Sequence, residues 1–294
     1  MKSPPENADN SNSMKAQIRA IRSAQPGNLM ARYFNEDYFN SLDDSKRDRL
    51  RKIISSGLEN PDSQMGAYAQ NDGDYEEFAP LLEPMIRDYH DIPREQEIEQ
   101  KHERDLTTSV CNLEDIDPGL NGVSMRVRVG RNLAAFPLPG AMTKAQRLDF
   151  EGLMIEALKT LQGDPRFGGQ YLSLTPNSSH AIDEDAYQSR IQAHQMFKDM
   201  RDDRYLTTAG ISGDWPYGRG MYVSNSDDFL IWVGEEDHLR IMAMREGGDL
   251  VALFARLHDG LEQLARLTPA FAHSRRYGYI TSCPSNLGTA MRAS

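Results

Sequence analysis

Residues 123–130 read VSMRVRVG, in which Val123, Met125, Val127 and Val129 alternate with Ser124, Arg126, Arg128 and Gly130. Successive side chains of an extended chain point to opposite faces, so this period of two predicts a strand with one buried face. The other face then carries Ser124, Arg126 and Arg128, with the two guanidinium groups about 7 Å apart. Taken alone, that is what a solvated polar face looks like. Further strands are expected at Tyr171 to Thr175, Met221 to Val223, Phe229 to Val233, Leu239 to Met244 and Tyr277 to Cys283, with Gly234 to His238 as a hairpin-like turn. Helices are expected over Lys144 to Leu161, Asp183 to Phe197 and Gly248 to Leu267. The last carries Leu250, Leu253, Phe254, Leu257, Leu261 and Leu264 on one stripe. Strands in series with helices between them predict an α+β domain whose antiparallel sheet has helices packed on one side.

The first part of the chain reads differently. Residues 1–13 are polar with two prolines and are expected to form a loose tail. Ser45 to Ser56 and Tyr75 to Tyr89 have helical spacing, and residues 57–74 between them are dense in Pro, Gly, Asn and Asp, which marks a loop. Residues 91–121 are charged and irregular. The expected organisation is therefore a small helical domain over 14–90, a linker over 91–121 and the α+β domain over 122–294.

The whole chain of 294 residues, 39% apolar and 26% charged, is ordinary globular material for about two domains. No apolar run suits a membrane span and the N-terminus has no apolar core, so a cytoplasmic protein is expected. A net charge of -11 argues against nucleic acid as partner. The charge is uneven: residues 1–122 carry 14 basic and 24 acidic residues, and residues 123–294 carry 19 and 20. Sixteen of the latter 19 are Arg, whose rigid fork suits phosphate or carboxylate, although GC-rich coding also raises Arg use. Cys111 and Cys283 are too few for a disulfide framework.

Three features could carry chemistry. One is the arginine face of residues 124–128. The second is Glu235, Glu236, Asp237 and His238 directly after an apolar strand, with Arg240 beyond. Acids so crowded repel one another, so a cation is expected among them, whereas one His beside three adjacent acids has no recognised metal-ligand spacing. A charged surface hairpin is the plain alternative. The third is Cys283 in CPSNLGT, a tight turn whose hydroxyl donors can lower a thiol pKa, against the commoner case of a buried structural cysteine.

Together these segments resemble the phosphagen (guanidino) kinase family. The resemblance rests on SMRVRVGRNL at 124–133, GDWPYGRGMY at 213–222, FLIWVGEEDHLRIMAMREGGDL at 229–250 and YITSCPSNLGTAMRAS at 279–294, with ENPDSQMGAYA at 59–69 and EPMIRDYH at 83–90. It implies a helical N-terminal domain, a glutamine-synthetase-like catalytic domain, and reversible transfer of the ATP γ-phosphoryl group to a guanidino nitrogen. By that resemblance Ser124, Arg126, Arg128, Arg240 and Arg292 belong to the ATP site, and His194, in QAHQMF, stacks on the adenine. Glu236 pairs with the guanidinium and orients it, and Cys283 adds a thiolate beside it. Ser63, Gly66 and Tyr68 sit where the family selects its acceptor, in a short form like that of the arginine kinases, and Asp62 and Arg204 bridge the two domains. Mg²⁺ is expected with ATP, held by nucleotide oxygens and water rather than by protein side chains.

Gly234 stands where the family usually has Asn, and Gln64 and Met65 replace smaller residues. The family also continues past Arg292 with a mobile loop carrying a further phosphate arginine and a second guanidinium-binding Glu, so an incomplete chain is expected. The first reading is an L-arginine kinase that partners ATP or ADP and a small guanidino substrate, as monomer or homodimer. The alternatives are a kinase for taurocyamine or lombricine, or a nucleotide-binding protein without turnover. A protein-arginine kinase fits less well, since those relatives lack the helical domain.

Overall fold

The computed structural model describes residues 6–99 and 112–294. Residues 100–111 of the expected linker, Cys111 among them, lie outside them. Six helices form the first unit: α1 (Glu6–Ala24), α2 (Leu29–Tyr33), α3 (Glu36–Ser41), α4 (Asp44–Glu59), α5 (Asp74–Glu77) and α6 (Ala79–Tyr89). Local chemistry starts several of them. Asn28, Asn35 and Asp43 each accept a bond from a first-turn amide of α2, α3 and α4, satisfying a donor that the helix itself cannot. The apolar stripes Met14, Ile18 and Ile21 of α1, Leu50, Ile53 and Ile54 of α4, and Leu81, Leu82, Met85 and Ile86 of α6 meet in one core.

Helix α1 begins inside the stretch expected to be a loose tail. No proline or glycine interrupts residues 6–24, and burial of Met14, Ile18 and Ile21 anchors a helix that then propagates toward the N-terminus. The single helix expected over Tyr75 to Tyr89 is two, broken at Phe78, because Pro80 lacks the N–H that would continue the first and suits the opening turn of the second.

The second unit has strands β1 (Ser124–Arg131), β2 (Gly169–Ser173), β3 (Gly220–Ser224), β4 (Phe229–Val233), β5 (Leu239–Glu246), β6 (His273–Ser274), β7 (Gly278–Tyr279) and β8 (Met291–Ala293). Its helices are α7 (Leu113–Ile116), α8 (Lys144–Lys159), α9 (Glu184–Gln192), α10 (Arg204–Thr208) and α11 (Leu250–Leu267). Six strands form one antiparallel sheet in the order β2-β3-β4-β5-β1-β8. On one face Met125, Val127, Val129, Phe229, Ile231 and Ile241 pack against α8 and α11. Helix α11 comes close because residue 260 is glycine: a Cβ there would stand 2.4 Å from the Phe229 ring.

Three sequence expectations need correction. The sheet's second face is also covered in part, by Tyr187, Met196, Phe197 and Met200 against Met221, Val223, Leu230, Trp232 and Met242. Helix α9 therefore stops at Gln192 rather than Phe197: His194 turns left-handed (φ 57°) and redirects the chain so that Met196 and Phe197 reach the sheet. Tyr277 to Cys283 is no strand of the six-stranded sheet; within it Gly278–Tyr279 pair with β6 in a small sheet of two strands. The rest lends its backbone to both units: Ala69 N–H donates to Ser282 O (2.8 Å) and Tyr75 Oη to Thr281 O (2.8 Å). Accordingly Ile280 and Cys283 share a core with the first-unit helices.

Candidate active site

Ladder register gathers the arginines. Along β1 and β5, Arg126 faces Met244, Arg128 faces Met242 and Gly130 faces Arg240, while β8 sets Arg292 opposite Arg128. Directly opposed residues of an antiparallel ladder share a face, so Arg126, Arg128, Arg240 and Arg292 stand together on the face that bears Trp232 and Met242. Burial, then Arg240, Arg126 and Arg292, push the Arg128 guanidinium down to about 10. The group is crowded by its own kind.

Beside it stands the acid turn. Gly234 takes φ 76°, and a Cβ there would press to 2.4 Å on Gly218 O, so the departure from Asn leaves the glycine geometrically required here. From this turn Glu235 reaches Arg240 Nη1 at 2.9 Å and Glu236 lies 3.5 Å from Arg240 Nη2. The cation expected among the acids is thus Arg240, but it does not offset their burial. Desolvation, then Glu235 and Asp237, push Glu236 up to about 8. Burial raises the Glu235 and Asp237 carboxyls too.

Cys283 and Tyr68 come to the same place from elsewhere. The thiol is buried, 3.0 Å from Ser285 Oγ, and desolvation followed by Glu236 pushes it up to about 12. Tyr68, 9% exposed, is raised by burial, Cys283 and Glu236. A cavity of about 700 Å³ is lined by Tyr68, Arg128, Glu235, Glu236, Arg240 and Arg292, among others. A second, of about 770 Å³, is lined by Ser124, Arg126, His194 and Met244. Arg126 and Arg128, two positions apart on β1, thus link two compartments, and His194 stands exposed at the outer one.

Ser63 and Gly66 do not line either compartment. Gly66 N–H donates to Ser63 Oγ (3.0 Å), and Gly66 O accepts from Gly57 N–H (3.0 Å), so the loop spends its polar groups on holding itself to α4. Only Tyr68 of the three projects into the cavity. Asp62 and Arg204 form an ion pair between the two units, reinforced by Tyr205 Oη on Asp62 (2.8 Å). Sequence reading missed His90, Asp203 and Tyr205, which also line the inner cavity. His90, whose Nε2 is 3.0 Å from Pro284 O, closes the EPMIRDYH segment, so its position was on view although its partner was not. Among the described residues, no group of three or more His, Cys, Asp or Glu is placed to hold a metal ion, and no helix is long and apolar enough to cross a membrane.

A model of the ATP:guanido phosphotransferase C-terminal catalytic domain matches residues 149–294, and one of the N-terminal domain of the same family matches 24–87. Arginine kinase of Penaeus japonicus is 37% identical over 270 residues, which cover 90% of this chain and 72% of that protein. The chain belongs to the ATP:guanido phosphotransferase family. Arginine kinase of Anthopleura japonica is likewise 37% identical over 273 residues, covering 92% of this chain and 36% of that longer protein. Among solved structures of the family, the substrate-free duplicated taurocyamine kinase from Schistosoma mansoni superposes with a TM-score of 0.81 at 30% identity, covering all of this chain and 39% of that one. Lombricine kinase gives 0.78 at 27% identity, over 91% and 72%. Strand β1, with Arg126 and Arg128, falls between the two matched family segments.

Proposed function

We propose that this phosphotransferase moves the γ-phosphoryl group of MgATP to a guanidino nitrogen, and that the acceptor is free L-arginine. One observation carries the reading: two opposite electrostatic imbalances lie side by side in one cavity. Arg128 is pushed down by burial and by three neighbouring arginines, which an anion relieves; Glu236 is pushed up by burial and two acids, which a cation relieves. A polyphosphate on the arginine side and a guanidinium on the acid side satisfy both at once. Few reactant pairs other than ATP and a guanidino compound carry those charges.

In the proposed reaction Arg126, Arg128, Arg240 and Arg292 take phosphate oxygens, whose charge spreads in the transition state. Mg²⁺ brought in with the nucleotide would supply further neutralisation of the phosphate charge. Glu236 aligns the guanidinium for in-line attack. The new bond runs from guanidino nitrogen to phosphorus, the bond from phosphorus to the bridging oxygen of ADP breaks, and Glu236 receives the nitrogen's proton. Cys283 is held as the thiol by burial and then by Glu236, and a guanidinium bound beside it lowers that pKa.

Arginine as acceptor is supported by the short loop that ends at Tyr68 and by the arginine kinases among the relatives. The test is a coupled ADP-release assay with arginine, taurocyamine, lombricine, creatine and glycocyamine. The highest kcat/KM is expected for arginine. A preference for taurocyamine or lombricine overturns the acceptor and spares the reaction, whereas ATP binding without turnover on any acceptor overturns the reaction.

A further inference from the structure

Behind the acid turn, three segments distant in sequence meet on one fully buried amide. Asn132 follows the last residue of β1. Its Nδ2 donates to Asp237 Oδ1 at 2.7 Å and to Ile280 O at 2.9 Å, and its Oδ1 accepts His238 N–H at 2.8 Å. Asp237 Oδ1 accepts a second bond, from Ser282 N–H, at 2.7 Å. Asp237 adjoins Glu236 and Ser282 adjoins Cys283, so the two groups assigned to the guanidinium sit one residue on either side of this junction. Asn132, His238 and Ser282 are entirely buried and Asp237 is 3% exposed, so water cannot replace a lost partner.

The residue types follow from the geometry. A planar amide offers donors and an acceptor in fixed directions, which neither a carboxylate nor a short hydroxyl does. Gly130 completes the fit: a Cβ there would lie 2.9 Å from Asp237 Oδ2. His238 is locked from outside the junction, with Nδ1 accepting Leu133 N–H (3.0 Å) and Nε2 against Pro137 O (2.9 Å).

We propose that Asn132, acting through Asp237, is the positioning residue that holds Glu236 and Cys283 in register around the acceptor. Asn132 touches no substrate in this scheme. Its work is to bind the acid turn to the cysteine turn, and misplacement of a reacting group by about 1 Å costs on the order of 10²-fold in rate. The role rests on the reaction proposed above.

The test is a swap in the full chain: Asn132→Asp, Asp237→Asn and the two together. Each single variant should lose about 10²-fold in kcat with arginine, while the KM for ATP stays within about threefold, because the phosphate arginines lie outside the junction. The double variant should lose little more than the weaker single, since both singles break the same Asn132–Asp237 bond and their losses are not additive. Alkylation of Cys283 by iodoacetamide, followed by peptide mass mapping, needs no turnover; it should accelerate about tenfold in the singles and no further in the double variant. Near-normal kcat in both singles, equal losses for ATP and arginine, or fully multiplicative losses in the double variant overturns the proposal. If the unsubstituted chain turns over no acceptor, the reaction has failed instead, and the alkylation series alone decides whether the junction exists. Should a single variant not fold, Gly130→Ala, which presses on Asp237 without deleting a bond, is read by the same two measurements.

Discussion

Binding of the acceptor should expel a proton, and Glu236→Gln should abolish the effect. Desolvation and the neighbouring acids hold Glu236 up to about 8 in the ligand-free protein. At pH 7 about one-tenth of the population is then ionised, whereas a guanidinium needs the carboxylate form as its partner. Each arginine bound at pH 7 therefore releases about 0.9 proton. The same arithmetic sets the affinity. Between pH 7 and pH 8.5 the ionised fraction climbs from about 0.1 to about 0.75, so arginine should bind about eightfold tighter at the higher pH, if only that form takes it.

Calorimetric titration with arginine at pH 7, in two buffers of very different ionisation enthalpy, reads the proton number from the slope of apparent enthalpy against buffer enthalpy. In Glu236→Gln the slope should fall to about 0.2 or less and the pH dependence should flatten, since the amide keeps the shape and cannot titrate. The variant's turnover should fall by about 10² or more. A release below about 0.2 proton in the unsubstituted protein would refute the reasoning, because Glu236 would then be ionised before the acceptor arrives and the cavity's imbalance would not be the driving interaction.

Arg128→Lys keeps a positive charge but loses the planar fork, and should cost about 10- to 10²-fold in kcat in the ADP-release assay; an unchanged kcat would remove Arg128 from the phosphate site. Stability should fall on acidification: burial pushes His238 down to about 4, below its ordinary 6.5, so the folded state binds fewer protons than the unfolded one. The contribution is complete above pH 6.5 and is lost as pH falls through 4, by about 3 kcal/mol at most, and urea melts across that window should show a slope that His238→Gln lacks. Gly66→Ala should lower the melting temperature by several degrees, since φ 72° is unfavourable for alanine and its Cβ would stand 2.9 Å from Asn28 Oδ1.

What could be read from the sequence, and what could not, divides along the range of the forces involved. The strands from β1 to β5 and the stripe of α11 were legible because periodicity is local, and the arginine face followed from β1 alone. The resemblance supplied the pairing of that face with the acid turn, which no local pattern contains. Three things stayed hidden because each needs a partner far along the chain. Strand β8 is three residues long and exists only by pairing with β1. Residues 280–283 look like a strand by their side chains, yet their backbone is shared between Ala272, Asp237 and Ala69. Asn132 reads as an ordinary residue after a strand until Asp237 and Ile280, 105 and 148 positions away, come against it. The charges could be counted in the sequence, but their imbalance could not. An acid turn at a surface hairpin would titrate as ordinary carboxylates; the same residues packed beside Cys283 and under Tyr68 titrate upward. Burial makes that difference, and burial belongs to the assembled fold. The upward shift of these carboxyls thus belongs to the assembled fold, in which Tyr68 of the helical unit lines the same cavity as Glu235 and Glu236.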